Sequence, residues 1–181
     1  MSNPFKALIL SLCAILIFPG VSNAQNKLSA DGSWPKISGL DYTACYPSTW
    51  KVDQSGIVGT TFVVTDAQNY GGGFRANATL VTQDLKGSGT DLKTYYELSE
   101  NKLKGLIANA EVVSSKRIQT PSGGCQELIL KGDQGIFHLK WKQRYWVRGN
   151  KAYVLTFSAS QVTYDDYSLI ADKIFNLFAL K

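Results

Sequence analysis

Between Ile136 and Arg148 the chain alternates two kinds of residue, and one of the two sets is equipped for recognition chemistry. His138, Lys140, Lys142, Arg144, Trp146 and Arg148 occupy every second position, while Phe137, Leu139, Trp141, Tyr145 and Val147 lie between them. Successive side chains of an extended strand leave opposite faces, so the cations share one face and the apolar residues turn to the core. Lys140, Lys142, Arg144 and Arg148, with Trp146 among them, then form a strip suited to a phospholipid headgroup, a polyanionic envelope polymer or an acidic protein patch. The same pattern also fits a solvated sheet face on which Lys and Arg guard against aggregation. An exposed strip predicts that replacing Lys140 and Arg144 by Gln weakens anion capture and barely moves the thermal midpoint, because exposed charges contribute little to stability.

Catalysis finds less support. His138 is the single histidine, so a metal site would need carboxylates or thiols, and neither C-x-x-C nor H-E-x-x-H occurs. A serine triad would have to recruit His138, and no G-x-S-x-G is present to carry its nucleophile. Gly71-Gly72-Gly73 and Gly87-Ser88-Gly89 lack the lysine and the strand-to-helix setting of a phosphate loop. Asp165-Asp166 reads as negative charge at a helix start. The reading is therefore of no catalytic residue, no metal and no cofactor.

The elements that would hold the strip follow from periodicity. Tyr42 to Tyr46, Trp50 to Val52, Thr60 to Thr65 and Phe74 to Thr82 read as strands. Leu92, Tyr95, Tyr96, Ser99, Leu103, Leu106 and Ile107 then recur at helical spacing, with Thr90 or Asp91 as cap. Period two returns in Glu111 to Ile118, Gln126 to Lys131, Ile136 to Arg148 and Lys151 to Ala159, the last two joined by a Gly149-Asn150 hairpin turn. A final helix is expected from Thr163, with Asp166 completing an acidic capping box. Strands, helix, strands, helix argue for an α+β domain: a largely antiparallel sheet packed with two main helices.

Lys6 followed by 12 mostly apolar residues, Ala7 to Phe18, has the length of a signal-peptide core and is too short to span a bilayer. Ser22-Asn23-Ala24 supplies small residues for cleavage after Ala24. Residues 1–24 are thus expected to be a signal peptide, 25–38 a flexible leader and 39–181 a single domain. Acylation at Cys13 is the competing reading, and Leu12 before it and its place within the apolar run argue against it. The 181 residues less these 24 leave a chain of ordinary domain size, and the formal charge of +5 becomes +4 without Lys6. That bias fits an anionic envelope neighbour and is weak evidence for nucleic acid. No further apolar segment has the length to cross a membrane. Two cysteines, Cys45 and Cys125, remain, and an oxidising compartment favours their bridging, with two separate buried thiols as the alternative.

Tyr46-Pro47-Ser48-Thr49-Trp50 resembles the early "yPsgW" element of the PsbP-like proteins, and Phe74-Arg75-Ala76-Asn77-Ala78-Thr79-Leu80-Val81 resembles their "f-x-pNvnv" strand. Leu92-Lys93-Thr94-Tyr95, Lys151 to Ala159 and Ile174-Phe175-Asn176-Leu177-Phe178 are similar to their family counterparts. Relatives in this group include the Ran-binding Mog proteins, the periplasmic DcrB proteins and the mycobacterial LpqN lipoproteins. The resemblance, from about Gly39 to Leu180, implies a PsbP-like α/β/α sandwich with an accessory or binding role and no shared catalytic site. Nothing marks the chain as a photosynthetic member, and a signal peptide would keep it from a nuclear Ran partner. The expected function is that of an exported, non-catalytic protein of the bacterial envelope, periplasmic or secreted, that recognises a protein or an anionic ligand. An immunity-type protein that neutralises a toxin and an uncharacterised hydrolase are the alternatives.

Overall fold

Four long strands in the second half of the chain build most of the main sheet. β6 (Ala108–Thr120), β7 (Gly123–Gln134), β8 (Phe137–Arg148) and β9 (Lys151–Ser160) run as an antiparallel meander. The computed structural model describes residues 34–67, 73–85 and 89–181. The expected signal peptide and residues 25–33 of the leader lie outside these. At the turn between β8 and β9, Gly149 takes a φ of +58°, the left-handed value that suits glycine at the first position of a two-residue hairpin.

Strands from the first half of the chain extend this meander. β5 (Asn77–Asp84) pairs with β9 along its whole length, and β4 (Phe62–Asp66) and β3 (Trp50–Asp53) follow, giving the order β3-β4-β5-β9-β8-β7-β6. A small second sheet has the order β1-β2-β10, from β1 (Lys36–Ser38), β2 (Tyr42–Cys45) and β10 (Ala179–Leu180). Part of the expected leader is therefore built into the fold. Ile37 is buried, Trp34 packs against the core, and the Lys173 ammonium sits 4.3 Å from the Trp34 ring centre. One apolar residue between two polar ones gives too short a pattern to read as a strand in isolation.

Two helices cover the two faces of the main sheet. α1 (Leu92–Leu106) buries Leu92, Tyr95, Tyr96, Ser99 and Leu103 against one face, and Asp91 caps it by accepting the Thr94 N–H at 2.7 Å. Leu128, Leu130, Leu139, Trp141, Tyr145 and Val154 rise from the sheet to meet it. α1 leads straight into β6, so its end must come close to β7. A Cβ on Gly132 would fall 2.4 Å from the Ile107 Cγ2 methyl, which is why this position is glycine.

The opposite face carries Leu80, Trp146, Tyr153, Leu155, Phe157 and Ala159, covered by the small sheet and by α2 (Ser168–Leu177). The expectation of a helix starting at Thr163 with an Asp166 box needs correction. Residues 161–167 form successive turns, and Tyr167 stands at the helix start without a side-chain cap. Tyr164 and Tyr167 turn inward from this segment, and the Tyr167 hydroxyl donates to buried Asp66 at 2.6 Å. Burying two large rings three residues apart in a chain entering a helix wins over a local cap worth about 1 kcal/mol. The resulting architecture is the α/β/α sandwich expected from the sequence.

Candidate functional site

The alternation read in β8 is correct in its parity and wrong in what covers one side. Leu139, Trp141 and Tyr145 face α1, and the strip faces α2. α2 runs alongside β8 in the same direction, so its groups meet the strip in order. Lys140 Nζ lies 3.4 Å from Asp165, Lys142 Nζ is 2.7 Å from Asp172, and Arg144 Nη1 donates to the Phe175 carbonyl at 3.3 Å. Arg148, which is exposed, donates to the Lys181 carbonyl at 2.8 Å.

Trp146, expected at the surface, is 2% exposed, with its ring centre 5.1 Å from that of Phe178. Arg144 is also buried, and its Nε donates to Glu127 at 2.8 Å. Lys142 and Lys116 add to the charge around the same carboxylate, each at 3.5 Å. Burial alone would push the Glu127 carboxyl up, but the Arg144 bond and these cations hold it below its ordinary range. Most of the strip's charge is thus matched internally, and its aliphatic stems lie beneath a helix. Lys140 and Arg148 are the members that keep the most contact with solvent.

The expected Cys45–Cys125 bridge is also corrected: both cysteines are free. In β2, Tyr42 and Ala44 point into the core that contains Cys125, so Cys45, adjacent to Ala44, points away from it. Burial raises both thiols above their ordinary value, Cys125 to about 11. A small alkylating reagent is therefore expected to label Cys45 of the folded protein at least ~10-fold faster than Cys125, since reactivity follows access and thiolate fraction. Peptide mapping after timed quenching checks this, and a linked pair in the non-reducing map would reject it.

His138 is largely exposed, and its Nδ1 lies 2.5 Å from Asp133 Oδ1. Asp133 also accepts from Asn109 Nδ2 at 2.6 Å; this bond and the histidine contact hold its carboxyl below the usual range. The pair resembles two members of a catalytic triad, but neither thiol is its third member. Cys125 lies near the far end of β7, opposite Ile118, and Cys45 is on the small sheet. Asn109 takes a φ of +53°, so the Asn109–Asp133 bond fixes the sharp bend where α1 becomes β6. Among the described residues no group of three or more His, Cys, Asp or Glu is placed to hold a metal ion.

What the sequence did not signal lies at this same end of the sheet. Three connections converge here: from α1 into β6, the β7–β8 turn, and the segment that leads from β9 into α2. The register places them together, since Ala108 pairs with Asp133, Gln134 pairs with Phe137, and the Gln161 N–H donates to the His138 carbonyl at 2.8 Å. Four aliphatic side chains on or beside them stand exposed to solvent: Leu106, the last residue of α1, at 51%, Ile136 at 87%, Val162 at 91%, and Leu169, in the first turn of α2, at 81%. Single exposed aliphatics need no explanation, but four of them at one end of a domain do. Leu106 reads in sequence as part of the buried helix stripe and Ile136 as a strand start. The missed signal is their position, Ile136 and Val162 in chain reversals and Leu106 and Leu169 at helix ends.

No family model and no curated protein matches the sequence. Solved structures do match the fold. Cyanobacterial PsbP (CyanoP) from Synechocystis is 15% identical with a TM-score of 0.60, covering 90% of this chain and 98% of that one. LpqN of Mycobacterium tuberculosis, described as involved in cell envelope biogenesis, is 10% identical with a TM-score of 0.61, covering 81% and 90%. The Saccharomyces cerevisiae Ran-binding protein Mog1p is 10% identical with a TM-score of 0.54, covering 82% and 96%.

Proposed function

The chain has the PsbP-like fold, and on that premise we propose that it is an exported accessory protein of the bacterial envelope that works by binding a protein partner. The observation that carries this reading is the end of the sheet where Leu106, Ile136, Val162 and Leu169 stand exposed on and beside three connections. Aliphatic groups held on short, ordered connections suit the apolar centre of an interface, with polar residues as its rim. Lys140 and the His138–Asp133 pair lie at that rim, so the anion-binding part of the strip reduces to a local contribution there. Export rests on the N-terminal apolar segment, and the envelope setting is supported by LpqN, involved in cell envelope biogenesis, which has a similar fold. A non-catalytic role is in keeping with the structural place of His138, whose carboxylate partner is shared with the bend at Asn109.

Site-specific photocrosslinking in cells of the native host tests this. A crosslinker at Ile136 is expected to give one discrete protein adduct, weakened at least ~10-fold when Val162 is also changed to Asp, as at a buried interface position. The same crosslinker at Asn150, on the opposite end of the sheet, should give none. Equal labelling from both ends, no adduct from either, or retention of the chain in the cytoplasm would overturn the reading. An adduct with a secreted toxin would select the immunity-type version.

A further inference from the structure

β6 is the outer strand of the main sheet, and it divides into two unlike halves. From Ala108 to Ser114 its pairing with β7 is broken by two register shifts, and Asn109 adds a left-handed residue. Bulges of this kind twist an edge away from further pairing. From Ser114 to Thr120 the register is unbroken, running from Ser114 opposite Ile129 to Thr120 opposite Gly123. Seven residues of regular strand, roughly 23 Å long, thus present one row of backbone N–H and C=O groups with no strand beyond them.

This half is also held firmly in place. Ile118 packs against the core, the Trp146 indole N–H points to Thr120 Oγ1 at 3.4 Å, and the Leu180 N–H donates to Ser122 Oγ at 2.9 Å in the following turn. A strand held in this way loses little freedom when another is added beside it. Its charge is one-sided as well. Ser114-Ser115-Lys116-Arg117-Ile118-Gln119-Thr120 contains two cations and no acid. Lys116 is shared with buried Glu127, while Arg117 is exposed and makes no ion pair among the described residues.

We infer that this edge accepts an extended acidic segment of a partner protein as an added antiparallel strand. A second copy of β6 is the poorer occupant. Two-fold pairing centred on this segment sets Arg117 opposite Arg117, or Lys116 opposite Arg117, and like charges facing across a pair are unfavourable. An acidic strand gains at those same positions. The edge lies along the side of the sheet and the exposed aliphatic groups lie at its end, so this interaction is separate from the one proposed above.

The probe is a heptapeptide of alternating Val and Glu, titrated into the full protein, with hydrogen exchange read on residues 114–120. Binding should slow exchange of alternate amides in this segment. Arg117→Glu should weaken the peptide at least ~10-fold and favour a Val–Lys analogue, since a reversed charge in a cross-strand pair changes sign. N-methylating alternate peptide residues gives two versions, one blocked on each peptide edge, and only one of them should still bind. Equal binding by both versions would reduce the interaction to charge attraction and overturn the inference. So would protection outside β6, no binding, or a self-associated dimer through β6 that excludes the peptide.

Discussion

Replacing Arg144 by Gln is expected to destabilise the protein by about 3 kcal/mol at neutral pH, the scale seen when one partner of a buried ion pair is removed. For a domain of this size that lowers the thermal midpoint by roughly 10 °C. The guanidinium donates to Glu127 and to the Phe175 carbonyl, so its loss leaves a buried carboxylate less well matched and a helix carbonyl without that donor. The effect should depend on pH in a defined direction. In the native protein Glu127 is held below its ordinary range, so it stabilises the fold above the unfolded glutamate value, near pH 4.3. That stabilisation is lost as the pH falls through the lower, folded value. Without Arg144, burial dominates and the carboxyl shifts upward. The gap between the native protein and the variant should therefore be widest near neutrality and narrow as the solution is acidified. Paired urea titrations at neutral and acidic pH check this. A gap that is absent at neutral pH, or that widens in acid, would return Arg144 to the surface.

Trp146→Ala should cost more still, about 4 kcal/mol, because a large buried ring is removed and the surrounding groups close only part of the void. Its partners are drawn from across the chain: the Phe178 ring lies tilted against it from beyond α2, Tyr153 lies opposite on β9, and Thr120 meets its N–H from the end of β6. Trp146→Phe keeps much of the apolar volume and should cost appreciably less than the alanine variant. The contrast with an exposed tryptophan is sharp, since surface replacements usually stay within about 0.5 kcal/mol. Denaturant unfolding with an unchanged slope measures the difference. A loss below about 1 kcal/mol would mean that α2 does not cover this face.

These two residues show what a sequence can and cannot disclose. The period of two sorts side chains onto faces, and it placed Leu139, Trp141 and Tyr145 on one side of β8 and Lys140, Lys142, Arg144 and Trp146 on the other. It carries no information on whether another layer lies over the polar side. Lys and Arg are ambiguous here, because their stems can lie against a helix while their charges reach carboxylates at its margin. The matching acids, Asp165 and Asp172, come more than twenty residues later, on a segment whose path over the sheet no local pattern fixes. α1 was legible because its apolar stripe and its Asp91 cap are local. The start of α2 is not legible locally, because Tyr164 and Tyr167 are committed to partners outside the segment, Phe157 on β9 and Asp66 on β4. Compartment and cysteine count alone favour the disulfide, and the one-residue parity of β2 decides against it. Of the site, the cations were visible in the sequence and the four exposed aliphatic residues were not, because exposure at a chain reversal depends on what the fold leaves uncovered.

The cover formed by α2 and β10 also sets an order of events in time. Among the described elements these two leave the ribosome last, yet Phe175 and Phe178 are part of the core that buries Leu155, Phe157 and Trp146. Until those residues are made, the meander has one bare apolar face and the small sheet lacks its third strand. A nascent chain thus lacks residues that close its core until synthesis of the domain is complete. Under the export proposed above, this order of strands would keep the chain open while it crosses a membrane.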